Sequence, residues 1–432
     1  MNAEQRTEKL HEIINDEDCV VSTGVPLRYQ GETQRVPVYR IPLEYLVYNK
    51  YNGRISSSVK AFEHKNHSLD PENPDDIHII EKFLWDSKPD RNKRTMNDIV
   101  ENGQMRHGIV TADGVIIDGN RRASLLNRAY HLRDQYGFSP MQVDKCRFFS
   151  AIILPKSATP KDIQQLETMY QMGEDDKLDY NAIEKYLKCE DLKDLGFGDD
   201  EIAKMMNVQK SEVPKMMATL GLMKEYLSAF GYDEMYPLLE HMEDQFLTLT
   251  KAIKDWTDRG ALAQYCNWEY TDSDIDDLKV ICYDYIRSGQ EGKEFRRICK
   301  PGKDGAIFQD EHIWEDFRDT HFETVDSAED DLSVDEALEE HPDQNPVDVL
   351  QARDKAWIQK ISNNFKRNLR YNVSRLDDKL DDAKPREILK KVKGLLESID
   401  TDQDGFYGDP SVGELVRDIN QITYRLKKLL KQ

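Results

Sequence analysis

A short polar turn between an apolar strand and a helix is the feature that most restricts how this chain folds. Residues 115–117 form a β-branched apolar run that is typical of a buried strand, and Asp118 and Gly119 follow it directly. Apolar residues at helical spacing begin again near Arg121. The sequence therefore predicts a strand, a tight turn and a helix over residues 115–133.

The chemistry of this turn suits a phosphate group. A helix N-terminus presents backbone N–H groups and a partial positive charge, and Gly119 permits a close approach. Arg121 and Arg122 add forked donors at a place where cations are otherwise unfavourable. We therefore predict that Asp118, Gly119, Asn120, Arg121 and Arg122 bind phosphate. The alternative is an ordinary turn whose arginines form surface salt bridges.

Two further segments accompany this turn in the first third of the chain. Residues 102–104 read Asn-Gly-Gln ahead of a predicted strand, and residues 49–54 read Asn-Lys-Tyr-Asn-Gly-Arg after an earlier one. Together with the Gly-x-Arg-Arg of residues 119–122, they resemble the ParB/sulfiredoxin superfamily over residues 36–154. The chain departs from the family at His107, where a proline is often found.

This resemblance implies a nucleotide-binding domain of the α+β class, with a small mixed sheet, followed by mostly α-helical middle and C-terminal domains. It implies ATP or CTP as the nucleotide. Family members carry a nucleotide and metal motif near residues 170–180, but its arginine is missing here. The carboxylates of that segment could hold Mg²⁺, which prefers oxygen ligands, or could belong to a solvated capping loop. Candidate assisting residues are Asn52, Arg54 and Gln104 for the nucleotide, and Glu174, Asp175 and Asp176 for the metal.

A second motif lies in residues 197–222, which form two short amphipathic helices with a turn between them. Ile202 and Ala203 take inward positions, Asn207 and Val208 make the turn, and Ser211 caps the second helix. The pattern resembles the helix-turn-helix that follows the nucleotide domain of ParB proteins. The resemblance implies DNA contacts by Lys204, Gln209, Lys210, Ser211 and Lys215.

The charge distribution limits which nucleic-acid binders this chain can be. A formal net charge of -22 opposes non-specific coating of DNA or RNA. Residues 188–226 hold six Lys/Arg and eight Asp/Glu, so the helix pair is itself slightly acidic. Two alternatives therefore stay open for it, a DNA-reading helix or a pair used for packing and protein contact.

Hydrophobicity and cysteine spacing indicate a cytoplasmic protein with no membrane partner. No run approaches the roughly 18 consecutive apolar residues of a spanning helix, and the N-terminal residues lack the apolar core of a signal peptide. The six cysteines are widely separated, without a CxxC pair or a nearby histidine at metal-ligand spacing. We expect them to be reduced thiols.

The order of patterns predicts five regions. The first thirty residues are polar with one short helix, and the tract from Asp326 to Asp348 has ten Asp/Glu and no Lys or Arg, as in a linker. Beyond it, apolar residues at helical spacing continue until Pro385, which should end that helix. The regions are the nucleotide domain at 1–155, the helix-turn-helix-like domain at 160–225, a helical extension at 226–320, an acidic linker at 326–350 and a C-terminal helical segment at 351–432.

These features favour a nucleoside-triphosphate-binding protein, a magnesium-dependent ATPase that acts with DNA. The resemblance places such proteins in bacterial DNA modification and defence, which implies a DNA-modifying enzyme as partner. One alternative is a ParB-type switch that binds a specific DNA sequence when nucleotide closes its first domain. The other is a non-catalytic adaptor whose C-terminal helices recruit an enzyme.

Overall fold

The computed structural model describes residues 1–172, 181–328 and 332–430. The fold is α+β, with one five-stranded sheet near the N-terminus followed by helices. The chain divides into two compact units, Met1–Leu369 and Arg370–Gln432. Each helix in the described ranges is too short or too polar to span a bilayer.

The sheet is mixed, as the sequence predicted. Its strand order is β1-β2-β5-β3-β4. Neighbouring strands are antiparallel except for β3 and β5, which run parallel. The strands are β1 (Val20–Tyr29), β2 (Glu32–Pro42), β3 (Gly108–Val110), β4 (Ile116–Asp118) and β5 (Phe148–Ile153).

The hairpin of β1 and β2 adds a strand within the first thirty residues, where the sequence predicted only a short helix. Its two turn residues, Gln30 and Gly31, have φ angles of 50° and 82°, the left-handed pair that a two-residue hairpin turn requires. β1 is an edge strand whose first half is largely exposed, and Gly24 and Pro26 interrupt its β-branched and apolar residues, which obscures the strand pattern.

Seven helices within residues 1–147 lie around the sheet, and an eighth follows β5. They are α1 (Ala3–Ile14), α2 (Ser56–Lys65), α3 (Pro74–Asp86), α4 (Pro89–Asn102), α5 (Asn120–His131), α6 (Arg133–Tyr136), α7 (Pro140–Val143) and, after β5, α8 (Pro160–Met172). Helix α8 packs on the opposite face of the sheet from α1, α4 and α5. Gly103 closes α4 with a φ of 84°, which agrees with the predicted helix end. The pattern-based prediction of β3, β4 and α5 is correct to within about three residues.

Alternation along the short strands produces a core on each face. Val110 and Ile116 pack with α1, α4 and α5, whereas Ile109 and Ile117 pack with Leu166 of α8. Because β4 is buried on both sides, the turn that follows it is held firmly at the end of the sheet.

The remaining chain is helical wherever the structure describes it. Its core is rich in fully buried aromatic side chains, among them Trp256, Trp314 and Tyr285. All six cysteines lie in described residues and form no disulfide, as expected. The helices are α9 (Ala182–Asp194), α10 (Asp199–Met206), α11 (Glu212–Ala229), α12 (Glu243–Thr257), α13 (Asp272–Arg287), α14 (Gly292–Cys299), α15 (Glu311–Asp326), α16 (Val334–Glu340), α17 (Pro346–Glu397), α18 (Asp404–Gly408) and α19 (Pro410–Leu429).

The structure corrects two expectations about the second half of the chain. The acidic tract at 326–350 contains α16 and the beginning of α17, and Ala337 and Leu350 are buried, so it is not an extended linker. Ser333 and Glu336 form a capping box that starts α16, a local signal that outweighs the acidic composition. Pro385 does not end α17, because the helix continues around it to Glu397.

Candidate phosphate-binding site

The turn between β4 and α5 depends on Gly119. This residue is the N-cap of α5 and has a φ of 108°, a conformation that residues with a side chain rarely adopt. A Cβ atom at this position would lie 2.5 Å from Cζ of Phe149 in β5. Close packing of the turn on the sheet therefore requires glycine here, independently of any ligand.

Arg122 ties the turn to the loop ahead of β3. Its guanidinium donates to the carbonyl oxygens of Arg106 and His107 at 2.7 and 3.0 Å, and to Oδ2 of Asp118 at 2.5 Å. Both Asp118 and Arg122 thus have protein partners, and they fix the shape of the turn. Arg121 lies beside them in the first turn of α5 and is partly exposed.

Asn120 joins two segments that are distant in sequence. Its buried side chain accepts a hydrogen bond from the backbone N–H of Asn49 at 3.1 Å and donates to the carbonyl oxygen of the same residue at 2.9 Å. This pair of bonds holds the loop at 49–54 against the start of α5. Within that loop Asn52 is buried, and its Oδ1 accepts a hydrogen bond from the backbone N–H of Arg54.

Gln104 is placed differently. Its amide pairs with the backbone of Ser150 in β5, accepting from the N–H at 2.8 Å and donating to the carbonyl oxygen at 2.8 Å. It also donates to the carbonyl oxygen of Arg106. These contacts attach the loop that Arg122 also holds to β5, an inner strand of the sheet, and give Gln104 a structural role.

A buried ion pair lies behind the two segments, and the sequence patterns did not reveal it. Glu167 of α8 and Lys188 of α9 are each 1% exposed, with Oε2 and Nζ 2.8 Å apart. The other oxygen of Glu167 accepts hydrogen bonds from the amides of Asn49, at 3.3 Å, and Gln171, at 3.2 Å. Gln171 also donates to the carbonyl oxygen of Ile117 in β4. The pair therefore connects α9 to both halves of the candidate site.

A second buried carboxyl caps the helix that follows the 49–54 loop. Oε1 of Glu184 accepts from the hydroxyl of Ser57 at 2.5 Å and from its backbone N–H at 3.1 Å. Among the described residues its Oε2 finds no hydrogen-bond partner. Burial raises the pKa of the Glu184 carboxyl from 4.5 to about 7, although the bonds from Ser57 act in the opposite direction.

This carboxyl predicts a pH dependence of stability. Because its pKa is higher in the folded state, the neutral form stabilises the fold at low pH, and that stabilisation is lost as the pH rises from about 4.5 to 7. Glu184→Gln should remove this loss. The difference in the free energy of unfolding between variant and wild type, measured by chemical denaturation, should therefore shift in favour of the variant by about 3 kcal/mol between pH 4.5 and pH 7.5. Glu339 is exposed, so the stability of Glu339→Gln should depend on pH as that of wild type does. The same pH dependence in Glu184→Gln and wild type would contradict the assignment.

The predicted metal ligands Glu174, Asp175 and Asp176 lie outside the described residues. Among the residues that are described, no group of three or more His, Cys, Asp or Glu side chains is arranged to hold a metal ion. Residues 118–122 line neither of two cavities, of about 520 and 550 Å³, although Ile116 and Ala123 beside the turn line the first. Within the turn Gly119 and Asn120 are buried, and the other three residues are half-buried, so the candidate site is a partly buried turn.

The helix pair at 199–229 has the predicted inward and turn residues. Ile202 and Ala203 are buried, and Asn207 ends α10 with a φ of 53°. Ser211 precedes α11 without capping it through its side chain, and Glu212 accepts from the N–H of Gln209 instead. The five predicted DNA-contacting residues are all exposed. One of them, Lys210, forms an ion pair, with its Nζ 2.9 Å from Oδ2 of Asp200.

Comparison with family models, curated proteins and solved structures finds no match to this chain.

Proposed function

We propose that the first unit binds the phosphates of a nucleoside triphosphate, ATP or CTP, at the start of α5. One observation carries the proposal. The sequence assigned two segments, 49–54 and 118–122, to nucleotide binding. The side chain of Asn120 bonds to the backbone of Asn49, 71 positions away, so the two segments lie side by side. Two such segments at one helix N-terminus are the arrangement that phosphate binding requires.

The residues of the turn have different roles in phosphate binding. Glycine at the N-cap brings no capping side chain, so the N–H groups of the first turn of α5 can face an anion. Arg121 supplies the guanidinium that contacts phosphate oxygens. Arg122 and Asp118 set the geometry of the turn through their mutual bond. Asn52 shapes the neighbouring loop through its bond to the backbone of Arg54, and the Arg54 guanidinium would add a phosphate contact.

The proposal extends to slow, magnesium-dependent hydrolysis. Mg²⁺ commonly keeps several waters and is held by phosphate oxygens together with one or two carboxylates, so it does not need a dedicated protein cage. Glu174, Asp175 and Asp176 would provide such carboxylates. The biological setting proposed for this activity is DNA modification or defence, with a DNA-modifying enzyme as the partner.

The direct test is calorimetric titration with ATP, CTP and GTP in the presence of Mg²⁺. We expect one nucleotide to bind, and Arg121→Ala to weaken that binding at least about tenfold, because a charge-assisted phosphate contact is lost. Arg94→Ala, at an exposed position of α4, is the matched control and should bind as wild type does. Equal affinities for wild type and Arg121→Ala would refute the site.

Phosphate release measured on the same samples separates an ATPase from a nucleotide-binding switch. The second candidate function, a DNA-binding switch, is supported by the exposure of Lys204, Gln209, Ser211 and Lys215 on the α10–α11 pair. Adding duplex DNA to the nucleotide-bound protein distinguishes the two. Binding that depends on nucleotide without phosphate release favours the switch, whereas turnover favours the ATPase.

A further inference from the structure

Helix α19 carries an apolar stripe that the chain itself leaves exposed. None of the residues of α19 is buried, and Leu415 and Leu429 are 59% and 66% exposed. The stripe repeats at alternating spacings of three and four residues, the pattern of positions a and d in a coiled coil. Its members are Val412, Leu415, Ile419, Ile422, Leu426 and Leu429.

Helices in proteins owe most of their stability to the packing of an apolar face. In α19 most of that face is uncovered, since only Val412 and Ile419 of the stripe are half-buried and no residue of the helix is fully buried. A sustained three-four repeat fits the knobs-into-holes packing of another helix with the same repeat. The question is then which helix covers it and in which direction.

The charged residues that flank the stripe answer this question. With Val412 at position a, Asp418 and Arg425 occupy the two successive g positions, and Thr423 and Leu430 occupy e positions. Parallel helices bring g residues against e residues of the partner, which here yields no ion pair. Antiparallel helices bring g against g, which sets Asp418 of each copy opposite Arg425 of the other.

The apolar layers agree with the same register. When Ile419 faces Ile422 of a second copy, Leu415 faces Leu426 and Val412 faces Leu429, and the two-fold symmetry repeats each pairing. All six stripe residues then have an apolar partner, and two equivalent ion pairs form at once. The sequence of α19 is therefore complementary to its own reverse, a property that an isologous dimer requires.

We propose that the protein dimerises through α19, which pairs with α19 of a second copy as an antiparallel two-stranded coiled coil. The interaction is independent of the nucleotide site. The two symmetric Asp418–Arg425 contacts fix the antiparallel direction, and the apolar stripe supplies the affinity.

Two charge variants of the full chain test this proposal by sedimentation equilibrium across the micromolar range. In Asp418→Arg both contacts become Arg against Arg, and in Arg425→Asp both become Asp against Asp. We expect each variant alone to dimerise at least about tenfold more weakly than wild type, since two attractions become two repulsions. A mixture of the two variants restores every contact and should recover wild-type affinity as a heterodimer.

Glu414→Arg and Arg417→Asp make the same charge changes at positions c and f, which point away from the partner helix, and should associate as wild type does. A wild-type chain that is monomeric throughout would overturn the proposal and assign the stripe to an intrachain partner, such as the apolar residues at 388–399. Charge variants that each dimerise as tightly as wild type would overturn it too, because another face or a parallel pairing would then hold the copies together.

Discussion

Lys188→Met should lower the free energy of unfolding by about 3 to 5 kcal/mol, the usual cost of removing one member of a buried ion pair. The Glu167 carboxylate would remain buried without its cation, and the hydrogen bonds that it accepts from the amides of Asn49, Gln171 and Gln164 would not replace the lost positive charge. Chemical denaturation of wild type and variant measures the difference directly.

Lys210→Met provides the matched control for this experiment. Lys210 also pairs with a carboxylate, that of Asp200 at 2.9 Å, but both side chains are more than 60% exposed. Pairs of this kind contribute between about 0 and 1 kcal/mol, so the control should be close to wild type. The double variant Glu167→Met/Lys188→Met should recover part of the loss, since no unpaired charge is left. Equal effects of Lys188→Met and Lys210→Met would contradict the buried pair.

Local patterns in the sequence predicted the parts of the fold that local physics determines. The apolar run of β4, the turn at Gly119 and the start of α5 are each coded by neighbouring residues, as are the end of α4 at Gly103 and the turn at Asn207. The segments at 49–54 and 118–122 were assigned to one site from resemblance, and the bonds between Asn49 and Asn120 place them together.

Features that depend on tertiary contact could not be predicted in the same way. Glu167 and Lys188 look like ordinary solvated residues in sequence, and only the packing of α8 against the sheet and α9 buries both. A weak signal existed, because Glu167 and Gln171 occupy positions one helical turn apart beside the apolar residues of α8. Likewise, Gly24 and Pro26 interrupt the apolar pattern of the edge strand β1, whose extended conformation depends on its pairing with β2.

The position of the arginines is where the structure adds most to the prediction. Both arginines of the turn were predicted to bind phosphate, but the guanidinium of Arg122 has three protein acceptors within 3.0 Å. Part of the sequence motif that predicts phosphate binding thus shapes the turn. Experiments on ligand binding must therefore separate a residue that contacts the ligand from one whose loss deforms the turn, and Gly119 is the sharpest case.

Gly119→Ala should lower the free energy of unfolding by about 2 to 4 kcal/mol, because two costs add. Alanine is strained at a φ of 108°, and its Cβ would lie 2.5 Å from the Phe149 ring, which the buried sheet cannot easily move. Gly137→Ala isolates the first cost, since Gly137 has a φ of 72° with open space around its Cβ direction, and it should cost about 1 kcal/mol.

A double-mutant cycle with Phe149→Leu then isolates the steric contact. The smaller side chain makes room for the new methyl group, so Gly119→Ala should cost less in the Phe149→Leu background than in wild type. If Gly119→Ala is no more destabilising than Gly137→Ala and shows no coupling to Phe149, packing does not explain this glycine. Its requirement would then lie with the ligand, and nucleotide affinity in Gly119→Ala would fall while stability stayed near that of the control.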